Sequence, residues 1–255
     1  MGKSKIKELF KQNKSLLGGF IVSRSQSSIE VLADVGYDFV VIDTEHFLIN
    51  LESIEHLITA SEAAGIAPFV RVQENADLVQ RVLDCGAIGI VAPLINSAQE
   101  ARKIVNAAKF SPIGKRGYCN PRSTLYGSRG TDYMLERYKQ QNEETIVVIQ
   151  IETVTAIKNL PEILEVDGID CIFIGPWDLA NSLGVAGKNE DYKLEEKIKE
   201  IVSMVNKKGI STGIAAWDGE DANNRVKQGF NFIISLCDVP LFAAAARAEL
   251  KKVKR

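Results

Sequence analysis

The stretch that decides the fold is IVVIQIETVTAIKNLPEILEVDGIDCIFIGPWDL, residues 146–179. It contains two apolar runs, IVVIQIE and CIFIGPWDL, separated by a short helical pattern that ends in a turn. Because both runs are apolar almost throughout, they predict parallel β-strands that are covered by helices. Glu152 ends the first run, and Asp178 follows Gly175-Pro176 in the second. Parallel strands end at one edge, so the two carboxylates indicate a site for a hard divalent cation. The alternative for either acid is a helix N-cap.

The same alternation of strand and helix extends along the rest of the chain. Six further strands are predicted at 16–22, 38–43, 66–72, 87–93, 210–216 and 230–236. Helices are predicted at 3–13, 27–36, 51–65, 74–86, 97–110, 131–142, 191–209, 218–229 and 239–255, with an irregular stretch at 111–130. Eight alternating units predict an α/β fold, a (β/α)8 TIM barrel that occupies residues 1–255 as a single domain. A doubly wound sheet is the alternative, but no GxGxxG motif follows the first strand.

Composition limits the partners of the chain. The formal net charge of 255 residues is -2, which gives no reason to expect a nucleic acid or an anionic membrane as partner. The four cysteines form no CxxC pair, so neither a zinc site nor a redox motif is indicated. Reduced cysteines, the absence of a signal-peptide pattern and the absence of a long apolar run predict a cytoplasmic protein.

Several strand ends carry chemically active side chains. His46 stands in a turn three residues after Asp43, which ends the second strand. This spacing allows the carboxylate to orient the imidazole through one ring nitrogen and leaves the other for proton transfer. A turn histidine that is merely capped by its neighbour is the alternative. The other histidine, His56, lies within a predicted helix and has no such setting.

Arg71 ends the third strand, in the run APFVR. A buried arginine needs a partner, which could be the carboxylate of a ligand or a structural ion pair with Glu152 or Asp43. The two interpretations are compatible. The predicted strands contain no lysine for a Schiff base, so carbon–carbon bond chemistry here would need a metal as electron sink.

Six motifs in order give the chain a family resemblance over nearly its whole length. They are DFVVIDTEH (38–46), FVRV (69–72), GIVAPLINSAQEAR (89–102), GKRGY (114–118), VIQIET (148–153) and GIDCIFIGPWDLA (168–180). With these motifs the chain resembles the HpcH/HpaI aldolases, which are metal-dependent class II pyruvate aldolases. The resemblance implies cleavage of a 4-hydroxy-2-oxo acid, of the 2-keto-3-deoxy sugar acid type, to pyruvate and an aldehyde.

The resemblance also implies roles for individual residues. Glu152 and Asp178 are the expected ligands of a divalent Mg²⁺, Mn²⁺ or Co²⁺ ion. Arg71 is expected to contact the carboxylate and keto oxygen of the donor, and His46 with Asp43 to form an acid–base dyad. Further contacts to the donor are expected from Gln150 and from the backbone around Pro176, Trp177 and Asp178.

Other functions are compatible with the same fold. A citryl- or malyl-CoA-type lyase would need a surface for the CoA nucleotide, and no clear motif for one is present. A non-catalytic barrel that binds a 2-oxo acid, or a metal-dependent racemase or decarboxylase, are further alternatives. The resemblance implies a homo-oligomer, a hexamer with C-terminal helices exchanged between subunits. Family members often have a small residue where Trp177 stands, so its ring is expected to narrow the choice of acceptor aldehyde.

Overall fold

Eight parallel strands form a closed barrel in the order of the sequence. The computed structural model describes residues 3–12, 14–73, 75–187 and 192–254. The strands are β1 (Leu16–Ile21), β2 (Phe39–Asp43), β3 (Ala67–Arg71), β4 (Gly89–Ala92), β5 (Ile146–Ile151), β6 (Cys171–Ile174), β7 (Ser211–Ala215) and β8 (Phe232–Cys237). Because β1 pairs with both β2 and β8, the sheet closes, and the predicted (β/α)8 architecture is confirmed.

Helices follow the strands around the outside of the barrel. They are α1 (Lys3–Lys11), α2 (Gln26–Asp34), α3 (Leu51–Ala64), α4 (Ala76–Asp84), α5 (Ala98–Ala108), α6 (Thr131–Glu144), α7 (Val154–Ile163), α8 (Pro176–Ser182), α9 (Tyr192–Lys207), α10 (Gly219–Lys227) and α11 (Asp238–Leu250). Within the irregular stretch at 111–130, a short 3₁₀ helix spans Arg122–Gly127. Asn13, Glu74, Asp191 and Arg255, which the sequence placed at helix ends, lie outside the described residues.

One apolar run contains both the end of a strand and the start of a helix. The run CIFIGPWDL ends as a strand at Ile174, and α8 begins at Pro176. Proline has no N–H for the sheet, and its fixed φ suits the first position of a helix. Trp177 and Asp178 therefore follow the strand, as predicted, and lie in the first turn of a helix.

Aromatic side chains close the barrel at the N-terminal ends of its strands. The ring of Phe232 stacks on that of Phe39 with centroids 4.0 Å apart, and Phe69 meets Phe232 edge-on at 5.1 Å. Phe10 of α1 packs against Phe232 edge to face, with centroids 5.9 Å apart. Burial of each of these phenylalanines contributes about 1.5–3 kcal/mol to the stability of the fold. This end of the barrel is therefore a packed core, and the active site is expected at the opposite, C-terminal end of the strands.

Helix α11 projects from the barrel with apolar side chains in solvent. It starts at Asp238, whose carboxylate accepts the backbone N–H of Val22 at 3.1 Å and binds the hydroxyl of Ser23. None of its described side chains is buried, and Phe242 is 74% exposed. Separately, no helix within the described residues has the length and apolarity needed to cross a bilayer.

Candidate active site

An ion pair between Asp43 and Arg71 lies at the C-terminal ends of β2 and β3. The two residues are direct neighbours in the register of β2 and β3. Arg71 donates from Nε to Asp43 Oδ1 at 2.9 Å and from Nη2 to Oδ2 at 2.7 Å. Its guanidinium also lies over the ring of Phe20, 4.5 Å from the centroid. Both members of the pair are buried, so removal of either would leave an unpaired buried charge.

The acid nearest to the His46 ring is Glu45 and not Asp43, the predicted partner. His46 Nε2 lies 3.6 Å from Oε2 of Glu45, and 54% of the His46 side chain is exposed. Asp43, which was expected to orient the imidazole, instead accepts both Arg71 bonds and the backbone N–H of Glu45 at 3.0 Å. The structure therefore shows Asp43 bound to Arg71 rather than to His46, because the register of β2 and β3 places Asp43 and Arg71 side by side.

Glu45 is a site residue to which the sequence analysis gave no role. Its side chain is 6% exposed, and its Oε2 lies 3.2 Å from Nη1 of Arg71. Burial raises the pKa of Glu45, and the positive charge of Arg71 opposes that shift. Its place directly before His46 in the turn after a strand was the available signal.

Glu152 is held in a buried cradle just after β5. It is 1% exposed, and its Oε1 accepts the backbone N–H of Leu94 at 2.7 Å. Its Oε2 accepts a hydrogen bond from the amide of Gln150. Leu94 reaches this position with φ at 56°, an uncommon value for a residue with a side chain. Burial raises the pKa of Glu152 to about 7, and the negative charges of Asp178 and Glu45 add to the shift.

The turn between β6 and α8 brings the second predicted ligand close to Glu152. A Cβ atom at Gly175 would overlap Oε2 of Glu152 and crowd Nε2 of Gln150, so any larger residue there would displace these two side chains. Asp178 is half-buried in the first turn of α8, and its charge acts on the pKa of Glu152. Pro176 is buried at the start of the same helix.

The donor set fits a hard cation. Asp43 and Glu45 both lie against the guanidinium of Arg71, and the negative charges of Asp178 and Glu45 act on the buried carboxyl of Glu152. The Oε1 atom of Gln150 is buried there and accepts no hydrogen bond from the described residues. Carboxylate and amide oxygens are ligands that Mg²⁺ and similar ions prefer. Within the described chain, no three His, Cys, Asp or Glu side chains form a group that could hold a metal, so two carboxylates would share it with other ligands.

Two tryptophans follow strands at the same end of the barrel. Trp177 lies in the first turn of α8 and Trp217 follows β7. Their rings meet edge to face, with centroids 4.2 Å apart and planes at 83°. The contact between the two rings was not foreseen from the sequence, and the expected effect of Trp177 on the choice of aldehyde stays a prediction.

The raised pKa of Glu152 makes a prediction about stability without metal. A carboxyl group with a higher pKa in the folded state binds its proton more tightly there than in the unfolded state. Stability of the metal-free protein should therefore fall as pH rises from about 4.5 to about 7, by up to roughly 3 kcal/mol. In chelator, Glu152→Gln should be more stable than wild type at pH 8 and lose that advantage at pH 5, as measured by urea unfolding.

Glu162→Gln is the matched control for this experiment, because Glu162 is an exposed acid on α7. Its unfolding free energy should follow that of wild type at both pH values. Equal stability of Glu152→Gln and wild type across the whole range would contradict a buried, unpaired carboxyl at Glu152.

Comparison with known proteins gives the site its family. The model of the HpcH/HpaI aldolase/citrate lyase family matches residues 16–245. A hydroxypyruvate/pyruvate aldolase of Rhizorhabdus wittichii is 35% identical over 249 residues, 96% of each chain. A 2-keto-3-deoxy-L-rhamnonate aldolase of Klebsiella pneumoniae is 33% identical over 246 residues, 95% of this chain and 90% of that protein.

A solved structure agrees with these relatives. An HpcH/HpaI aldolase/citrate lyase family protein from Burkholderia cenocepacia superposes with a TM-score of 0.91 at 30% identity, covering 98% of this chain and 99% of the other. The match extends over the barrel, the strand ends and the loops between them. The chain therefore belongs to the HpcH/HpaI aldolase/citrate lyase family and is a carbon–carbon lyase of the aldolase class.

Proposed function

We propose that this aldolase reversibly cleaves 4-hydroxy-2-oxo acids of the 2-keto-3-deoxy sugar acid type to pyruvate and an aldehyde. We propose further that Glu152 and Asp178 hold a divalent cation, Mg²⁺, Mn²⁺ or Co²⁺, for this reaction. The observation that supports the proposal best is the buried carboxylate of Glu152, which lies beside a second acid and whose oxygens are bound by neutral donors. Such a group gains most from a bound cation.

The donor half of the substrate would be held by Arg71, Gln150 and the start of α8. Asp43 occupies Nε and Nη2 of Arg71, and Nη1 lies 3.2 Å from Oε2 of Glu45, so a donor carboxylate would share Arg71 with these two acids. The first backbone N–H groups of a helix have no acceptor within the helix, so those of Trp177 and Asp178 are available to a carboxylate. When bound, the cation supplies positive charge that stabilises the negative oxygen of the enolate.

Proton transfer is assigned to His46. In the cleavage direction, its imidazole takes the proton of the 4-hydroxyl group while the bond between C3 and C4 breaks. C4 becomes the carbonyl carbon of the aldehyde, and the electron pair of the broken bond passes to C3 and its neighbouring 2-oxo group. C3 then takes a proton and pyruvate results, with no net oxidation or reduction. The exposure of His46 allows it to return its proton to solvent.

The donor half can be tested without knowledge of the acceptor. In D₂O with Mg²⁺, the protein should exchange the methyl hydrogens of pyruvate, which proton NMR follows directly. A panel of aldehydes with pyruvate should then give aldol products. Absence of both exchange and aldol products with every tested ion would overturn the proposal, and turnover of an acyl-CoA thioester would favour the citryl- or malyl-CoA-type lyase.

We also propose that the protein is a homo-oligomer, a hexamer as its family resemblance implies, with α11 packed on another subunit. The proposal is supported by the exposed apolar side chains of Leu241 and Phe242 on a helix that covers little of its own barrel. Phe242→Asp should reduce the molar mass measured by light scattering after gel filtration, because a charge cannot be buried there cheaply. Lys252→Asp, at an exposed position beyond α11, is the control that should keep the mass of wild type. An unchanged mass for Phe242→Asp would contradict the role of α11.

A further inference from the structure

The two tryptophans of this chain follow strands at the end of the barrel that carries the candidate site. The sequence contains Trp177 and Trp217 and no other tryptophan. They follow successive strands, β6 and β7, and touch at the C-terminal end of the barrel. Trp177 directly precedes the proposed ligand Asp178 in the first turn of α8, so one ring of the pair is adjacent in sequence to the proposed metal site.

Hydrogen bonds at the start of α10 hold the backbone of Trp217. Its backbone N–H donates to Oδ2 of Asp221 at 2.9 Å. Asp218, the next residue, caps α10 by accepting the N–H groups of Glu220 at 2.9 Å and Asp221 at 2.8 Å. Trp217 is half-buried, and its backbone is held by these hydrogen bonds at the start of α10. It can therefore keep the ring of Trp177 in place.

Trp177, by contrast, keeps much of its ring free. It is 60% exposed, although the edge of one ring packs against the face of the other. An edge-to-face contact leaves aromatic faces uncovered, and such faces stack on flat apolar groups. A large exposed aromatic surface at the mouth of a site is more informative than a scattered apolar residue.

We propose that Trp177 and Trp217 form an aromatic wall of the acceptor subsite, which selects aldehydes with a flat apolar body over small hydroxylated ones. Trp177 stacks on the body of the aldehyde, and Trp217 is the positioning residue that holds Trp177 in the required orientation. This inference rests on the proposed function, since it requires an acceptor aldehyde.

The ratio of kcat/KM for benzaldehyde over glycolaldehyde, each with pyruvate, measures the selectivity. Trp217→Ala should lower this ratio by about 3- to 10-fold, which is the scale of one aromatic contact. Trp217→Phe keeps an aromatic edge and should stay within about twofold of wild type. A ratio does not change when a variant merely loses active protein. Equal ratios in wild type and both variants would overturn the proposal.

Fluorescence gives a second readout, because all tryptophan emission of the chain comes from this pair. Benzyl alcohol, a non-reacting analogue, should quench or shift the emission of wild type with pyruvate present, whereas ethylene glycol at equal concentration should not. Identical spectra with both alcohols would refute the wall even if Trp217→Ala failed to fold. If pyruvate shows no methyl exchange but benzyl alcohol changes the emission, the proposed function fails, and the tryptophan pair binds an aromatic body without selecting an aldehyde.

Discussion

The double variant Glu152→Gln and Asp178→Asn is expected to lose both bound metal and aldolase activity. Amides keep the shape of the carboxylates but supply no negative charge to a divalent cation. The cation contributes several kcal/mol of charge stabilisation in reactions of this kind, so kcat should fall by at least about 10³-fold. Metal binding is measured separately, by calorimetry with Mn²⁺, where the variant should give no heat of binding at concentrations that saturate wild type.

Glu162→Gln with Asp167→Asn is the matched control, since it removes the same two charges from exposed positions near α7. This control should keep the Mn²⁺ affinity and the kcat of wild type. Chelator should abolish wild-type activity, and added Mg²⁺, Mn²⁺ or Co²⁺ should restore it. Full activity in metal-free wild type, or a lysine adduct trapped by borohydride with pyruvate, would overturn the assignment of Glu152 and Asp178 as ligands.

The barrel could be predicted from the sequence because its determinants are local. Each strand is a short apolar run between turn residues, and each helix carries its own periodic pattern. Eight such units in strict alternation leave few topologies open. The same locality placed Arg71 and Glu152 correctly, since each follows or ends a run that must be a strand.

The contacts between site residues were harder to predict because they depend on register. Asp43 was expected to orient His46, three residues away in the chain, yet it binds Arg71 on the neighbouring strand. Spacing along a chain indicates which side chains are able to meet, but pairing of β2 with β3 decides which of them do. The contact between Trp177 and Trp217 is of the same kind, since it joins the first turn of α8 to the turn after β7, 40 positions further along the sequence.

Glu45 shows a second limit of sequence analysis. Among acids that follow strands, burial separates those that belong to a site from those that only cap a helix, and burial is a property of the folded chain. Glu45 is nearly enclosed beside Arg71, whereas Asp218 is exposed and caps α10. Both are acids in a post-strand turn, so their residue types alone could not distinguish them.

His46→Ala is expected to lower kcat for aldol cleavage by about 10²–10⁴-fold, because the 4-hydroxyl would lose the group that accepts its proton. The Mn²⁺ affinity should change little, since the proposed ligands are Glu152 and Asp178. Methyl exchange of pyruvate should fall less than cleavage, because exchange does not require deprotonation of a 4-hydroxyl group.

The second histidine of the chain supplies the control. His56 is exposed on α3, so His56→Ala removes the same kind of side chain outside the site and should retain wild-type kcat.

Glu45→Gln distinguishes the two candidate partners of the imidazole. In the structure, Oε2 of Glu45 lies 3.6 Å from Nε2 of His46, whereas Asp43 forms its ion pair with Arg71. If Glu45 orients the imidazole, Glu45→Gln should lower kcat in wild type but have little further effect in the His46→Ala background. Fully additive losses would mean that Glu45 acts through Arg71, and a His46→Ala variant within a few-fold of wild type would remove His46 from the mechanism.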